Sequence, residues 1–249
     1  MIVAKDVSLS LGGKLIFEDI NLTIYESESI ALIGPSGDGK TVLLKLLAGV
    51  FKPDKGKVLI HGENWQELES EQKHDLARKI GMMFQQGALF DTLTVLENIE
   101  FPIKEHLDLS EKEMLEMSKD ILEKVNLADS INKKPAQLSG GMQKRLAIAR
   151  ALVLNPEVIF YDDPVAGQDP IQSDQMSTLM IDFKEKNQST LVMATSHMRT
   201  AFKVADRVLM VINKEVLDLG TPEETKGHTD PRVQQFINGR IEGPIKITR

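Results

Sequence analysis

The chain has 249 residues, no cysteine and a formal charge of −7, because 30 lysines and arginines face 37 aspartates and glutamates. The lack of cysteine excludes a disulfide scaffold, thiol catalysis and a cysteine-ligated metal. The acidic balance argues against a general nucleic-acid coat. Hydrophobic residues make up 41%, which is ordinary globular composition, so extended disorder is not expected.

Nothing in the sequence predicts a membrane span or a secretory signal. Apolar stretches such as Val208–Ile212 fall far short of the roughly 18 residues that a membrane-spanning helix needs. The first residues also lack a basic region followed by an apolar run, which a secretory signal requires. The sequence alone therefore predicts a soluble, cytoplasmic protein.

An antiparallel hairpin is predicted over residues 2–25. Apolar residues alternate with polar ones on both sides of a turn at Gly12 and Gly13: Val7, Leu9 and Leu11 precede it, and Ile20, Leu22 and Ile24 follow it. A period of two residues indicates strands with one buried face.

Beyond the hairpin, short apolar runs alternate with helical patterns. The runs are Ser29–Ile33, Ile80–Phe84, Val158–Tyr161, Leu191–Ala194 and Val208–Ile212, and the helical patterns are Lys40–Ala48, Met114–Val125, Gly140–Leu154 and Gln172–Lys186. Runs buried on both faces suit a parallel sheet, so this order predicts an α/β doubly wound core. Residues 88–154 have little strand character and predict a helical insertion. Residues 222–249 predict a tail with one short helix over residues 231–239.

A phosphate-binding loop is predicted directly after the first apolar run. The pattern G-x-x-x-x-G-K-[ST] is matched by Gly34, Pro35, Ser36, Gly37, Asp38, Gly39, Lys40 and Thr41. Glycines let backbone N–H groups turn onto phosphate oxygens, Lys40 reaches the β- and γ-phosphates, and the Thr41 hydroxyl can ligate Mg²⁺. The alternative is a glycine-rich turn that only caps a helix, but the apolar run before the motif and the helical pattern after it favour phosphate binding.

Two further motifs extend this prediction. Asp162 follows the apolar run Val158–Tyr161 and would hold Mg²⁺ through water, whereas a lone aspartate there would otherwise be a helix cap or turn residue. A second anion-binding helix N-terminus is predicted where a serine and two glycines open a helical pattern, at Leu138, Ser139, Gly140, Gly141 and Met142. Alone, Ser139 could be only an N-cap. Between the phosphate loop and Asp162, however, this motif makes the chain resemble an ABC-transporter ATPase subunit.

The resemblance covers nearly the whole chain and implies the fold, cofactors and assembly of that family. The fold would be an α/β P-loop NTPase core with a mostly parallel sheet and an N-terminal antiparallel β-subdomain, spanning residues 1–87 and 155–221. A helical subdomain would occupy residues 88–154, and a C-terminal extension residues 222–249. Two subunits would hold two ATP molecules with Mg²⁺ head to tail, because the signature of each subunit contacts the γ-phosphate bound by its partner. That signature corresponds to Ser139, Gly140, Gly141 and Met142.

The same resemblance implies roles for single residues. Gln85 matches a glutamine that senses Mg²⁺ and the attacking water, and His197 matches a histidine that touches the γ-phosphate. Asp169 matches the D-loop that crosses the dimer. Each of these residues alone would more often be an ordinary surface or core group. The implied metal ligands are Thr41, Gln85 and Asp162.

Several positions depart from the family pattern. Asp163 stands where the catalytic glutamate is usual, so a general-base role remains possible with a shorter side chain. Because a misplacement of about 1 Å can cost on the order of 100-fold in rate, slow hydrolysis is expected unless the backbone moves inward. Leu11 takes the place of an aromatic residue that often stacks on adenine, and Val42 that of a hydroxyl residue. Asp38 is expected to point to solvent, because facing phosphates would cost like-charge repulsion.

Other residues resemble the Mla-type subfamily, the ATPases of bacterial phospholipid-transport systems built around MCE proteins. They are Phe84–Phe90, Asn98, Ile99, Pro102, Glu105, His106, Leu138–Met142, Gly167–Pro170, Asp230–Phe236, Gly239, Gly243 and Pro244. This resemblance implies a homodimer under a transmembrane permease, peripheral on the cytoplasmic face of the bacterial inner membrane. A periplasmic MCE protein and, in some systems, a STAS-domain accessory protein would join it, and no nucleic acid is implied.

Two surface segments are candidates for contacts with these partners. Leu89–Ile103 lies where such ATPases receive a permease helix, and its apolar residues would form a groove or, alternatively, ordinary subdomain core: Leu89, Phe90, Leu93, Val95 and Leu96. The tail over Pro231–Gly239 would clasp the partner ATPase or an accessory subunit, or else be a frayed terminus.

Two other functions remain as alternatives at this point. A soluble ABC ATPase that acts on DNA or ribosomes usually carries two cassettes, long coiled coils or basic extensions, and none of these is evident in the sequence. An importer ATPase for amino acids or another small solute is the alternative within transporters.

Overall fold

The computed structural model describes residues 1–246. The strands are β1 (Ile2–Leu11), β2 (Lys14–Ile24), β3 (Ser29–Ile33), β4 (Lys55–Ile60), β5 (Glu63–Asn64), β6 (Ile80–Met83), β7 (Val158–Asp162), β8 (Thr190–Ala194), β9 (Arg207–Ile212) and β10 (Glu215–Asp218). The α-helices are α1 (Lys40–Leu47), α2 (Ser70–Arg78), α3 (Val95–His106), α4 (Glu111–Lys124), α5 (Gly140–Leu152), α6 (Pro170–Asn187), α7 (Met198–Val204), α8 (Pro222–Lys226) and α9 (Pro231–Ile237). Short 3₁₀ turns occupy Ala128–Ser130 and Pro135–Gln137.

The chain divides into two compact units. The first comprises Met1–Glu67 with Val192–Arg249, and the second comprises Leu68–Leu191. The subdomain bounds predicted above stay a prediction, because this division follows compactness and not function.

The predicted hairpin is confirmed in the first unit. β1 and β2 pair antiparallel from Ile2 opposite Ile24 to Leu11 opposite Lys14. β4 extends this sheet along the other edge of β1, and β5 follows β4, so the strand order is β2-β1-β4-β5. Most inward side chains of the hairpin are buried, and Phe17 is completely so. The period-two alternation therefore marks the core face of an antiparallel sheet.

A second group of strands in the first unit carries the phosphate-binding loop. β3 pairs parallel with β9, from Ile30 opposite Arg207 to Ile33 opposite Met210, and β10 pairs antiparallel with β9. All five residues of β3 are buried, as expected of a strand covered on both faces. Arg207 anchors this edge, because its Nε donates to Glu28 Oε1 at 2.7 Å and its Nη1 to Asp218 Oδ2 at 2.8 Å.

The second unit combines two parallel strands with helices. β6 and β7 pair in parallel from Ile80 opposite Val158 to Met83 opposite Tyr161. The described residues 84–157 between them contain helices and turns but no strand, which confirms their predicted helical character. Capping boxes begin α3 at Thr94 and α4 at Ser110. The α/β fold with mostly parallel core strands and a separate antiparallel N-terminal sheet is thus confirmed.

Some elements were not anticipated from the sequence. The sequence patterns predict no element at the positions of β4, β5, β10, α2 and α7. The tail holds two short helices, α8 and α9, instead of the one predicted. Among the described residues, no helix is both long and apolar enough to cross a lipid bilayer.

Candidate functional site

The loop between β3 and α1 is held open by glycines whose backbone no other residue can adopt easily. Gly34 has φ 136°, and a Cβ there would lie 2.1 Å from the carbonyl oxygen of Val211. Gly39, with φ 102°, would place a Cβ 2.9 Å from Cζ of Phe17. Gly37, with φ 88°, has no atom within 4 Å of its Cβ position, so this face of the loop is open. Positive φ at these glycines is the backbone conformation that lets such a loop turn N–H groups toward an anion.

Lys40 places its ammonium inside the same loop. Its Nζ donates to the carbonyl oxygens of Gly34, at 2.7 Å, and Pro35, at 2.9 Å. Lys40 also opens α1, whose N-terminus adds partial positive charge. Backbone N–H groups, a helix N-terminus and an ammonium converge here, so the residues present fit the phosphates of ATP.

Asp38 is partly exposed, and its side chain also contacts a neighbouring turn. The carboxylate is half-buried and its Oδ2 accepts from the Asn213 backbone N–H at 3.4 Å, in the β9–β10 turn. Together with Pro35 and Ser36 it lines a cavity of about 800 Å³ that the tail closes from the other side. The tail residues on that wall include Arg232, Phe236, Arg240, Ile241 and Ile245. Nothing in the sequence predicted that the tail approaches the phosphate-binding loop of its own chain.

His197 caps α7, also in the first unit. The Thr200 backbone N–H donates to Nδ1 of His197 at 3.4 Å, and the Thr200 hydroxyl lies 2.8 Å from the same nitrogen. Because Nδ1 accepts, the neutral ring carries its proton on Nε2. His197 is exposed, and this tautomer supplies an N–H that can donate to a phosphate oxygen.

Leu11 lies at the end of β1 in the first unit. It is half-buried and pairs with Lys14 across the hairpin turn. The aromatic residue that touches the phosphate-binding loop is instead Phe17, at Gly39. The sequence offered no signal for this contact beyond the alternation of β2.

In the second unit, the predicted signature motif begins α5. Ser139 is the N-cap, and its hydroxyl accepts from the Met142 N–H at 3.3 Å. Gly141 is closely covered, because a Cβ would lie 2.5 Å from Oε1 of Gln172 and 3.0 Å from Oε1 of Gln168. Gly140 has open space around its Cβ position. The first glycine of the pair is therefore open to a ligand, and the second lies against the side chains of Gln168 and Gln172, which would have to shift for a larger residue.

Asp169, the predicted D-loop residue, contacts the same glutamine. Asp169 is the N-cap of α6, where its Oδ1 accepts from Ile171 N–H and Gln172 N–H, both at 2.9 Å. Gln172 Nε2 also donates to Asp169 Oδ2 at 2.7 Å. Gln172 thus contacts both the D-loop and the signature within one unit, a role that the sequence did not indicate.

The two consecutive aspartates at the end of β7 differ in backbone and burial. Asp162 ends the strand and is 3% exposed. Asp163 is half-buried and has φ 48°, in the left-handed region, which aspartate tolerates better than most residues. Lys144, on α5, donates from Nζ to the Asp163 carbonyl oxygen at 3.2 Å. Sequence reasoning missed Lys144.

Gln85 lies in the turn that follows β6 and is exposed. The turn is closed by a hydrogen bond from Gly87 N–H to the Phe84 carbonyl at 2.7 Å. The Arg150 guanidinium, from α5, donates to the Gly87 carbonyl at 3.0 Å. This turn is therefore tied to the same helix that carries the signature.

An open groove of about 360 Å³ adjoins this turn in the second unit, with Phe84, Ala88, Phe90, Phe101 and Pro102 among its lining residues. Phe90 and Phe101 are 39% and 41% exposed, with ring centroids 4.6 Å apart. Of the five residues predicted for such a groove, only Phe90 lines it, and Val95 is fully buried core.

The candidate residues are thus divided between the two units. The first unit holds Gly34–Val42, Leu11 and His197, and the second holds Gln85, Ser139–Met142, Asp162, Asp163 and Asp169. Across residues 1–246, no cluster of three or more histidine, aspartate or glutamate side chains could form a metal site. Thr41 and Asp162 offer the single hydroxyl and carboxylate ligands with which Mg²⁺ is commonly held when substrate phosphates and water complete its shell. Each of the two side chains, taken in its own unit, is of a ligand type that Mg²⁺ accepts.

Comparisons with known proteins identify the family. The family model described as "ABC transporter" matches residues 17–166. The chain is 36% identical over 247 residues to the "Probable ribonucleotide transport ATP-binding protein mkl" of Mycobacterium leprae, covering 99% of this chain and 71% of the relative. It is 33% identical over 247 residues to the "Intermembrane phospholipid transport system ATP-binding protein MlaF" of Haemophilus influenzae, covering 99% of this chain and 94% of the relative.

The fold agrees with these relatives. A solved dimeric structure of the ATP-binding cassette MJ0796, in a post-hydrolysis state with ADP and Pi, superposes with a TM-score of 0.80 at 31% identity. The match covers 88% of this chain and 99% of that one. The chain therefore belongs to the ABC transporter family, as an ATP-binding cassette with ATPase activity.

Proposed function

We propose that this ATPase is the energising subunit of a bacterial inner-membrane phospholipid transporter of the Mla type. The observation that carries the proposal is the similarity to the phospholipid-transport relative, which extends over 247 residues and 94% of that protein. The match therefore includes the tail, beyond the segment that the general family model covers. The mycobacterial relatives are named for ribonucleotide transport. The experiment below therefore has to distinguish a phospholipid transporter from a ribonucleotide transporter.

ATP binding is assigned to the phosphate-binding loop of the first unit. The loop N–H groups and Lys40 would hold the phosphates, because their geometry suits anions and not cations. Thr41 and Asp162 are the proposed holders of Mg²⁺, with Gln85 as a further contact. When bound, the cation supplies charge neutralisation at the β- and γ-phosphates.

Dimerisation is the proposed means by which ATP does work. The signature of one subunit, at Ser139–Met142, would bind the γ-phosphate held by its partner, so ATP closes a head-to-tail homodimer. Gly140 supports this proposal, because open space surrounds its Cβ position at the start of α5. A helix N-terminus that faces open space can receive an anion from a second molecule.

Hydrolysis is assigned to three groups around the attacking water. Asp163 would accept the proton or orient the water, and Gln85 would contact the same water. His197 would donate its Nε2–H to the γ-phosphate, in the tautomer that Thr200 selects. Loss of the γ-phosphate would remove the bridge between subunits and reopen the dimer.

Motion would pass to the permease through the groove at Phe90 and Phe101. Two adjacent, partly exposed aromatic rings on one face suit the apolar side of a permease helix. The lipid itself would be handled by partner proteins, because the cassette contributes only ATP chemistry. A periplasmic MCE protein and, in some systems, a STAS-domain protein complete the proposed assembly on the membrane's cytoplasmic side.

Affinity purification of the tagged full-length chain from its native membranes tests the proposal. Recovery of a multispanning permease together with an MCE protein is the expected result. Recovery of a periplasmic solute-binding protein would favour an importer for small solutes, including ribonucleotides. Recovery of DNA or ribosomes without a permease would contradict a transport role altogether.

A further inference from the structure

The backbone at Asp163 is held from two directions at a single oxygen. Its carbonyl accepts from the Ala166 N–H at 3.2 Å and from Lys144 Nζ at 3.2 Å. The first bond is local and closes the turn after β7. The second comes from another element, α5, nineteen residues earlier in the chain. Asp163 adopts φ 48°, an unfavourable backbone conformation that surrounding contacts must maintain.

The Lys144 ammonium is placed there despite a cost of burial. It is half-buried, and this burial lowers the pKa of Lys144, while the nearby carboxylates of Asp163 and Asp162 act in the opposite direction. Lysine is usually solvated at a protein surface. A lysine that donates to a main-chain carbonyl fixes the position of that carbonyl, whereas a lysine surrounded by solvent does not.

The two residues of this contact, Lys144 and Asp163, belong to different steps of the proposed mechanism. Lys144 belongs to the helix that Ser139 opens, and that helix N-terminus is assigned to the ATP of the partner subunit. Asp163 is assigned to the ATP of its own subunit. A displacement of α5 on engagement with the partner's nucleotide would therefore act, through Lys144, on the Asp163 turn.

We propose that Lys144 is a positioning residue that holds the Asp163 turn and links the signature helix to hydrolysis in the same subunit. The proposal rests on the proposed function of Asp163 as the carboxylate that acts on water. A shift of about 1 Å in such a group costs on the order of 100-fold in rate, so removing the lysine side chain should lower kcat. Nucleotide binding to the phosphate-binding loop should not change, because Lys144 is not part of that loop.

Mixed dimers of full-length chains with two affinity tags test this directly. The reference dimer pairs a wild-type subunit with an Asp163→Asn subunit, so one working carboxylate remains. In the first test dimer, Lys144→Met is added to the subunit that keeps Asp163. In the second test dimer, Lys144→Met is added to the subunit that already carries Asp163→Asn.

The first test dimer should hydrolyse ATP about tenfold more slowly than the reference, with an unchanged KM for ATP. The second should match the reference, because its working Asp163 keeps its own lysine. Lys144→Arg in the first arrangement should restore much of the rate, since arginine retains a cationic donor. Equal loss in both test dimers, loss only in the second, or no loss in either would overturn the proposal.

The Asp163→Asn homodimer separates this proposal from the proposed function. If that homodimer turns over like wild type, the assignment of Asp163 is wrong. If it is inactive while Lys144→Met has no effect in either arrangement, Asp163 keeps its role and the positioning role of Lys144 is wrong.

Discussion

Arg150 contacts both Gly87 and Phe90, because its guanidinium donates to the Gly87 carbonyl at 3.0 Å and lies 5.3 Å from the centroid of the Phe90 ring. Gly87 belongs to the turn that carries Gln85, and Phe90 lines the groove proposed for the permease. Burial lowers the pKa of Arg150, although an arginine remains charged at neutral pH. One side chain therefore ties the predicted water-contacting turn to the proposed docking surface.

Arg150→Met should weaken both contacts. Removing a charged donor from a buried carbonyl costs about 1–3 kcal/mol, so the midpoint of denaturant unfolding should fall. In the assembled transporter, permease-stimulated ATP hydrolysis should fall further than hydrolysis by the isolated chain, because Phe90 loses its cation. ATPase assays of the complex and of the isolated chain measure both effects.

Arg150→Lys is the matched variant, because it keeps the charge but cannot reach two partners with a planar fork. It should give an intermediate loss of stimulation. Lys112→Met, at a side chain that is 86% exposed on α4, controls for loss of charge alone. If Arg150→Met loses stability but retains full permease stimulation, Arg150 has only a structural role.

Asp163→Glu tests whether hydrolysis is limited by side-chain length. The longer glutamate should raise turnover of the purified complex, if the present carboxylate stops short of the water. The left-handed φ of 48° at this position is less favourable for glutamate than for aspartate, so a stability loss of up to about 1 kcal/mol should accompany the gain. Steady-state ATPase assays and thermal unfolding report the two changes separately. Unchanged or lower turnover would show that reach is not limiting.

The two signature glycines should respond differently to alanine. Gly140→Ala adds a methyl group in open space within the first turn of α5, and should raise the free energy of unfolding by up to about 1 kcal/mol. Gly141→Ala places its Cβ 2.5 Å from Gln172 Oε1, so Gln172 must move and its bond to Asp169 is lost. Thermal unfolding should therefore rank Gly140→Ala above wild type and Gly141→Ala below Gly140→Ala.

Gln172→Ala shows whether this collision is the cause. The double variant Gly141→Ala with Gln172→Ala should recover part of the stability lost at Gly141, because the obstructing amide is gone. An additive result, with no recovery, would mean that Gly141 is needed for another reason.

Local patterns explain why much of the fold was predictable. The alternation around Gly12 and Gly13 directly encodes the hairpin, and β3 is a near-continuous apolar run because it is buried throughout. By contrast, α2 is predominantly polar and buries only Leu76, so it has little apolar periodicity to detect. The 88–154 region was correctly expected to be helical, although α3 was not singled out despite its capping box at Thr94.

The candidate site was predictable where a motif is contiguous and unpredictable where packing creates it. Glycine spacing and Lys40 reveal the phosphate-binding loop, since consecutive residues build it. The contact of Lys144 with Asp163 requires α5 to pack over the turn after β7, and no local pattern encodes that packing. For the same reason, no local pattern predicts the contacts of Gln172 or the approach of the tail to Asp38.

A pair of histidines should make stability sensitive to acid. The rings of His74 and His106 lie 4.4 Å apart, and Nδ1 of His106 is buried without a hydrogen-bond partner. Burial, followed by the charges of His74 and Arg78, lowers the pKa of His106 below its ordinary value of 6.5, while Glu105 opposes the shift. The folded chain therefore holds the neutral ring, and the unfolded chain takes up the proton first as pH falls.

The stability that this neutral ring contributes is complete above pH 6.5 and is lost as pH falls toward the folded pKa. His106→Leu should reduce the loss of stability between about pH 7.5 and about pH 5.5, because leucine does not titrate. His74→Gln should give an intermediate result, since it removes one of the charges that disfavour protonation. Urea unfolding at both pH values measures the difference, and an unchanged pH dependence in His106→Leu would exclude His106 as the cause.

The segment after α9 is fastened to that helix by the buried side chain of Gln235. Gln235 is 4% exposed, its Oε1 accepts from the Ile245 N–H at 2.7 Å, and its Nε2 donates to the Ile245 carbonyl at 3.1 Å. A Cβ at Gly243 would lie 2.3 Å from the same Oε1, so the segment after α9 is shaped around this amide. The predicted partner-clasping role of the tail therefore has two separable parts, the helix α9 and the segment that Gln235 holds.

Truncation after Thr229 should weaken assembly of the transporter while leaving nucleotide binding to the isolated chain intact. The hydrogen bonds inside the phosphate-binding loop, from Lys40 to Gly34 and Pro35, come from the loop itself and not from the tail. Gln235→Ala keeps α9 and releases only the following segment, so amide hydrogen exchange at Ile245 should accelerate. If assembly requires that segment, the yield of purified complex should fall in both variants; if it requires α9 alone, only the truncation should reduce it. Unchanged yield and transport in the truncated chain would show that the tail packs on its own subunit without contributing to the assembly.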